Sequence, residues 1–284
     1  MIHTMKLFSS NFEDLIQGTK KREYRLNDEK RRKIRVGDTI CFLSLPEKKQ
    51  ICYADVEKIE VFSNWEDCYG KYFEEDFKDT YESVEDVVSD TYHGYYSEED
   101  TKKYGCLCIT LKSIRNTYDE RISFRLMKDT DYEMVYHWCN KPHVFEWFEQ
   151  RKLSYEEIVS KYDSKINHSN QVVCIMEYDD QPIGLIQYYP YEEKYLDYHN
   201  PYEYDLFIGE EEYLSKGIGN SILQNMNDFL FYTMKADCII LRPMKRNERA
   251  CRCYEKNGFC KKLEYEDTDT IGNKEVFVFY EKEL

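Results

Sequence analysis

The sequence predicts an α+β protein in two domains. Three observations lead there. The 284-residue chain is long enough for two ordinary domains. After residue 118, strand patterns and helix patterns alternate. Around residue 117, a short polar stretch, Ser113–Glu120, separates one closing strand pattern, CLCITLKSI, from an opening one, ISFRLM. The boundaries expected are therefore 1–116 and 117–284. No internal repeat is present.

Composition narrows the class. Hydrophobic residues make up 42% and charged residues 33%, enough apolar material for a packed core. The net charge is −15. Residues 1–116 carry 19 basic and 23 acidic side chains and the remainder 21 and 32, so the acidic excess lies mainly in the C-terminal half. Such a surface favours cationic ligands over phosphate backbones. The 11 cysteines form no C-x-x-C pair; Cys106/Cys108 and Cys251/Cys253 are C-x-C pairs that packing explains more simply than metal. No metal is expected. This cysteine usage fits a reducing cytoplasm. No apolar run reaches the ~18 residues of a membrane span, and the first residues do not read as a signal peptide.

In the C-terminal half, Thr130-x-x-Glu133 before Met134, Val135 and Trp138 predicts a capped helix. LSYEEIVSKYDSKI predicts a second, with Ser154 as its N-cap and Leu153, Ile158, Tyr162 and Ile166 on one side. VVCIMEY and IGLIQYY around Asp179-Asp180-Gln181-Pro182 predict a β-hairpin. EYDLFIG reads as a strand. GIGNSILQNMNDFLFYTM carries Ile218, Ile222, Met226, Phe229 and Leu230 at helical spacing. CIILRP reads as a buried strand, NERACRCYEKNGF as a helix capped by Asn247 and closed by Gly258, and EVFVFYEKEL as a last strand.

The N-terminal half shows a charge asymmetry. Residues 20–35 hold nine basic and three acidic side chains, whereas residues 73–100 hold eleven acidic residues and one lysine. The acidic stretch reads as an insert with a solvated face.

The segment with most chemical content runs from Tyr204 to Asn220. A strand, YDLFIG, leads into the loop Ser215-Lys216-Gly217-Ile218-Gly219-Asn220 and then a helix. Unpaired amides and the dipole at a helix N-terminus make an anion site, and glycines allow a diphosphate to come close. By itself the G-x-G also fits a plain turn that needs positive φ.

The segments SFRLMKDTDYEMVYHWCNKPHVFEWF, QPIGLIQYY, YDLFIGEEEYLSKGIG and NERACRCYEKNGF, in this order over residues 120–260, resemble the GNAT superfamily of N-acetyltransferases, and within it the aminoglycoside 6'-N-acetyltransferases of antibiotic resistance. The resemblance implies a mixed sheet whose two central strands splay apart to hold acetyl-CoA. It places the diphosphate on Ser215, Lys216, Gly217, Ile218, Gly219 and Asn220. It places the pantetheine and thioester against backbone groups of Phe207 and Ile208, with Asn247 contacting the cofactor from the other side. Asp205 stands where such enzymes keep a catalytic aspartate, able to take the proton of the attacking amine. Tyr254 stands where they keep a tyrosine that protonates the leaving thiolate. Asp205 also reads as an ordinary surface acid, and Tyr254 as a helix residue packed on the sheet. For the acceptor, a small-molecule amine, the candidates are Trp147, Asp197, Glu203 and Arg242, with Glu146 and Glu149 near Trp147. Arg242 departs from the family, which has an acid before Pro243; an arginine there would repel an aminocyclitol ring and favours the alternative acceptor, an RNA-linked or nucleotide-like amine read by the N-terminal domain. Leu214 departs from the Arg or Gln that opens most such loops.

Gly18-Thr19-Lys20-Lys21-Arg22-Glu23-Tyr24-Arg25, followed by Gly37-Asp38-Thr39-Ile40-Cys41-Phe42, resembles the ASCH domain over about residues 5–112. The resemblance implies a small β-barrel related to RNA-binding PUA modules, with Lys20, Glu23 and Arg25 lining a cleft. Related amidohydrolases use Thr where Glu23 stands, and a carboxylate cannot replace a hydroxyl nucleophile. The ligand implied is RNA or a nucleotide, with the basic run supplying phosphate contacts; the run equally reads as a solvated loop.

Overall fold

The computed structural model describes residues 1–45, 50–192 and 198–283. The chain divides into two compact units, Met1–Thr117 and Tyr118–Leu284.

The first unit is built on five strands: β1 (Ile2–Phe8), β2 (Arg22–Leu26), β3 (Thr39–Leu45), β4 (Ile51–Phe62) and β5 (Cys106–Arg115). Their order is β1-β3-β4-β5-β2, with β1 parallel to β3 and the other pairs antiparallel. The sheet is a half-barrel open between β1 and β2. Across that seam, Arg25 Nη2 on β2 donates to Lys6 O on β1 at 2.7 Å. Helix α1 (Ser9–Gln17) buries Phe12 and Leu15 in the core with Ile40, Phe42 and Ile109. It ends at Gly18, whose φ of 77° closes the last carbonyls.

The acidic stretch is more than a solvated insert. Helices α2 (Trp65–Gly70), α3 (Phe73–Asp76), α4 (Val84–Gly94) and α5 (Glu98–Tyr104) precede β5. They bury Trp65, Tyr69, Val87 and Val88 against Leu26, Cys106 and Cys108, with Tyr24, Phe77 and Tyr96 around them. Aromatic side chains supply much of this core while most of the acids face outward, so a charge count hides it. Glu75 and Asp76 then pair with Arg22, at 2.5 and 2.8 Å, taking one cation out of the basic run.

The second unit carries a seven-stranded sheet in the order β11-β12-β10-β9-β8-β7-β6. Its strands are β6 (Ile122–Leu126), β7 (Val172–Tyr178), β8 (Gln181–Pro190), β9 (Pro201–Ile208), β10 (Cys238–Leu241), β11 (Cys260–Thr268) and β12 (Lys274–Glu283). One face is covered by α6 (Tyr132–Cys139) and α8 (Tyr155–His168), which bury Val135, Trp138, Ile158 and Tyr162 against Ile175, Leu185 and Phe207. Short α7 (Pro142–Phe145) links them. On the other face lies α9 (Ile218–Asp228), burying Ile218, Ile222 and Met226 on Tyr204, Ile239 and Tyr280. Helix α10 (Glu248–Lys256) joins this face through Cys253 and Tyr254.

Local signals match many of these elements. Ser154 Oγ accepts from Glu157 N–H while Glu157 returns the bond to Ser154 N–H, a reciprocal cap. Asp179 and Asp180 adopt φ of 49° and 61°, the pair of positive φ that a two-residue hairpin turn needs. The start of α6 differs from expectation. The chain enters it through a 3₁₀ turn at Asp129–Asp131, and Asp131, not Thr130, bonds the Lys128 N–H (2.9 Å). Asp131 wins because Arg125 fixes its carboxylate through two nitrogens, at 2.7 and 2.9 Å. The helical pattern expected through Met234 becomes a π-helical turn at Phe229–Thr233. Strand β11 had no predicted counterpart; it is an edge strand exposed along almost its whole length.

Candidate active site

The site begins with a strand pair that separates. Strands β9 and β10 run parallel and pair only at Pro201–Cys238, Tyr202–Ile239 and Glu203–Ile240. Beyond Glu203, β9 continues for five residues along β8 alone, with Asp205 opposite Gln187 and Ile208 opposite Gly184. The central strands therefore splay, and the splay opens just before Asp205. Gly209 N–H donates to Ile183 O at 2.8 Å, which makes Gly209–Ile183 a hydrogen-bonded pair. By the alternation of an antiparallel ladder, Phe207 turns its backbone to β8, and Leu206 and Ile208 turn theirs into the splay. This corrects the expectation for Phe207: its ring is buried against Trp138 and Phe148 and its backbone belongs to the ladder. The Ile208 carbonyl accepts from His143 Nε2 at 3.1 Å, so its N–H is the group left toward the splay.

The glycine loop lies at the start of α9. Gly217 is the N-cap residue, with φ 82°, and no side chain caps the helix. Ser215 also takes positive φ, 61°. Among the described residues, no acceptor takes the N–H groups of Ser215, Lys216, Gly217, Ile218 or Gly219. A Cβ on Gly217 would meet nothing within 4 Å, so the space in front of the loop is open. Five consecutive amides with room before them suit an anion with several oxygens. Ile218 contributes only its amide, since its side chain is in the core. Asn220 has another task than the one expected. Its N–H bonds Gly217 O at 3.0 Å, and its side-chain Oδ1 accepts from Asn257 Nδ2 at 3.0 Å, bracing α9 against the end of α10. Asn247 caps α10 through Oδ1, which accepts from Ala250 N–H at 3.2 Å.

A cavity of about 310 Å³ opens beside the splay, lined by Asp205, Arg242, Asn247, Tyr254, Trp147 and Glu149 among others. Asp205 Oδ2 accepts from Gln187 Nε2 at 3.1 Å and from Tyr189 OH at 3.0 Å. Gln187 Oε1 in turn accepts from Lys165 Nζ at 2.6 Å. Tyr254 stands across the cavity, its ring edge-on to Tyr280. Burial, then the Asp205 charge, pushes its phenol well above the ordinary range, so it stays protonated at neutral pH.

The acceptor candidates separate. Trp147 lines the cavity, with the Arg246 guanidinium 4.8 Å over its ring. Asp197 lies outside the described residues. Glu203 is buried and does not face an acceptor: both its oxygens bind Arg242, Oε1 to Nε and Oε2 to Nη2, each at 2.8 Å. This answers the oddity of Arg242. The cation before Pro243 is present as expected, but the acid one strand over neutralises it. Burial opposes the Arg242 charge, and the Glu203 hydrogen bonds and charge overcome that and hold the guanidinium ionised. Glu149 faces the cavity and pairs with Lys161. The tip of the β11–β12 hairpin folds over this end: Thr270 Oγ1 donates to Glu149 O at 2.7 Å, and Asp269 joins the lining.

Sequence reasoning missed Gln187, Tyr189 and Lys165. The signal for the first was present, a lone amide in the apolar run IGLIQYY on the same strand face as Leu185.

In the first unit, Lys20, Glu23 and Arg25 do come together. Glu23 is 3% exposed, with Lys20 Nζ 3.2 Å from Oε2 and Arg25 Nε 2.7 Å from Oε1. The trio sits beside the open seam. Much of the basic run is engaged locally: Arg22 with Glu75 and Asp76, Arg31 with Asp28, and Arg35 with backbone carbonyls. Among the described residues, no group of three or more His, Cys, Asp or Glu could hold a metal ion, and no helix is long and apolar enough to cross a membrane.

Comparison with known proteins agrees with this geometry. Residues 127–266 match the family model of the acetyltransferase (GNAT) domain, and residues 5–115 match that of the ASCH domain. Aminoglycoside N(6')-acetyltransferase type 1 of Klebsiella pneumoniae is 28% identical over 163 residues, covering 54% of this chain and 81% of that protein. Acetyltransferase PseH of Campylobacter jejuni is 20% identical over 137 residues, covering 48% and 82%. Among solved structures, AAC(6')-Ib in complex with ribostamycin and coenzyme A is 25% identical, with a TM-score of 0.51, covering 58% of this chain and 94% of that one.

Proposed function

We propose that this chain, an ASCH domain joined to a GNAT N-acetyltransferase domain, moves the acetyl group of acetyl-CoA to a primary amine of a small polycationic acceptor of the aminoglycoside class. The observation that carries the reading is the run of five unpartnered amides at Ser215–Gly219, next to a splay whose near wall presents Asp205.

Each residue has a role. The amides from Ser215 to Gly219 hold the diphosphate. The N–H of Ile208, turned into the splay, donates to the thioester carbonyl, where negative charge develops as the amine attacks. Asp205 takes the ammonium's proton, so that the amine can attack with its lone pair. When the C–S bond breaks, Tyr254 gives its proton to the departing thiolate, and the phenolate so formed takes the second proton from the acetylated nitrogen. Asp205, Glu149 and Asp269 supply carboxylates toward a polyamine, and the side of Trp147 away from Arg246 offers a wall for a ring. Arg242, neutralised by Glu203, does not repel such an acceptor, which removes the main reason to prefer a phosphate-bearing or RNA-linked one.

The test has two parts. A thiol-release assay across aminoglycosides, polyamines and nucleosides should find turnover with the cationic amines. Asp205→Asn should then lower kcat about 10²- to 10³-fold while leaving acetyl-CoA affinity unchanged. Turnover confined to nucleosides or RNA would refute the acceptor class, and an unaltered kcat in Asp205→Asn would refute the base.

A further inference from the structure

We propose that Lys165 is a positioning residue for the acetyl transfer: it fixes which way the Gln187 carboxamide faces, and through that amide it orients the Asp205 carboxylate. The inference rests on the reading of Asp205 as the base.

Lys165 lies seven residues after Ile158 and three after Tyr162, on the face of α8 that packs against the sheet. Its ammonium is 2.6 Å from Gln187 Oε1. An ammonium has only donors to offer, so the amide oxygen must face it. The amide NH₂ is thereby forced to the opposite side, where Nε2 lies 3.1 Å from Asp205 Oδ2. Gln187 is 5% exposed, so a flipped amide would gain little from water in compensation. It would set its oxygen against the carboxylate instead. With Tyr189 OH also on Oδ2, at 3.0 Å, that oxygen is held by two donors. Among the described residues no donor reaches Oδ1, which is left for the acceptor's ammonium.

An ammonium at this position is costly for the fold. Burial, then the Lys161 charge, lowers the Lys165 pKa to about 8 against the opposing charges of Asp205 and Glu149. The other groups facing it are Cys139 from α6 and the Tyr162 ring. An apolar residue would pack there without that penalty, as Ile158 does two turns earlier. The lysine's return is at the carboxylate. Above its pKa the neutral amine can accept as well as donate, and the amide is no longer constrained.

The experiment follows Asp205 directly. The full chain is labelled with ¹³Cγ-aspartate, the Asp205 resonance is assigned with Asp205→Asn, and its titration is compared in wild type, Lys165→Met and Lys165→Arg. Lys165→Met should raise the Asp205 midpoint by about one pH unit, and Lys165→Arg should restore it. With ribostamycin as acceptor, or whichever amine the screen finds, kcat should fall about tenfold in Lys165→Met with an unchanged KM for acetyl-CoA. Coenzyme A binding by calorimetry reports that each variant is folded. An Asp205 titration that Lys165→Met leaves in place overturns the inference even where Asp205→Asn abolishes turnover. Turnover that survives Asp205→Asn overturns the base reading and the inference with it.

Discussion

Replacing Glu203 by glutamine should both weaken the second unit and spoil its acceptor pocket. The change keeps the size of the side chain and one hydrogen-bond acceptor but removes the charge that neutralises Arg242. Glu203 is 3% exposed at the side chain and Arg242 32%, joined by two bonds of 2.8 Å. Breaking a fully buried pair costs about 3–5 kcal/mol because one charge is left uncompensated. Water reaches part of the Arg242 guanidinium, which reduces the figure to about 2–3 kcal/mol. For a domain of this size that corresponds to a fall in Tm of roughly 5–10 °C. The second effect is on binding. An unneutralised guanidinium in the cavity wall repels a cationic acceptor by about 1.4 kcal/mol at a separation of ~6 Å and an effective dielectric of ~40, which is a tenfold rise in KM. Calorimetry of the full chain reads the first effect and steady-state kinetics the second. Arg242→Met in the same background should recover the acceptor KM, because it removes the stranded charge. A Tm lowered by less than ~1 °C in Glu203→Gln, with the acceptor KM unmoved, would refute the reasoning.

Three further outcomes follow from the same geometry. Gly217→Ala places a methyl where φ is 82° and nothing lies within 4 Å, so it should cost only about 1–2 kcal/mol in stability; the methyl adds bulk in the middle of the amide row, however, and calorimetry should show coenzyme A affinity lowered at least about tenfold. Tyr254→Phe should lower kcat about tenfold without moving Tm, and an unaltered kcat would assign the thiolate's proton to another donor. In the first unit, burial works against the Asp38 charge, yet the N-terminal ammonium, His3 and the Arg35 N–H hold the carboxyl at about 2. A carboxyl with a depressed folded pKa contributes stability above its unfolded value, about 3.9, and that contribution disappears as pH falls through about 2. The difference in urea midpoint between wild type and Asp38→Asn should therefore be largest at neutral pH and vanish below about pH 2; a difference independent of pH would exclude the charge as its source.

What the sequence determined by itself was the local part. Ser154, Asn247, Gly217 and the Asp179-Asp180 turn act on their own neighbours within four residues, so their residue types suffice to place helix ends and a hairpin. The apolar runs of β7, β8 and β10 were legible because both sheet faces are covered, whereas β11, an exposed edge rich in Lys and Glu, carries no hydrophobic period to read. The acidic stretch hid its core because tyrosines and phenylalanines supply it. The tertiary structure decided the rest of the site. The separation of β9 from β10 after Glu203, the neutralisation of Arg242 by an acid 39 residues away, and the Lys165–Gln187–Asp205 line join side chains from different elements. Such contacts depend on strand register and on which helix covers which face. A sequence states neither until the sheet is assembled.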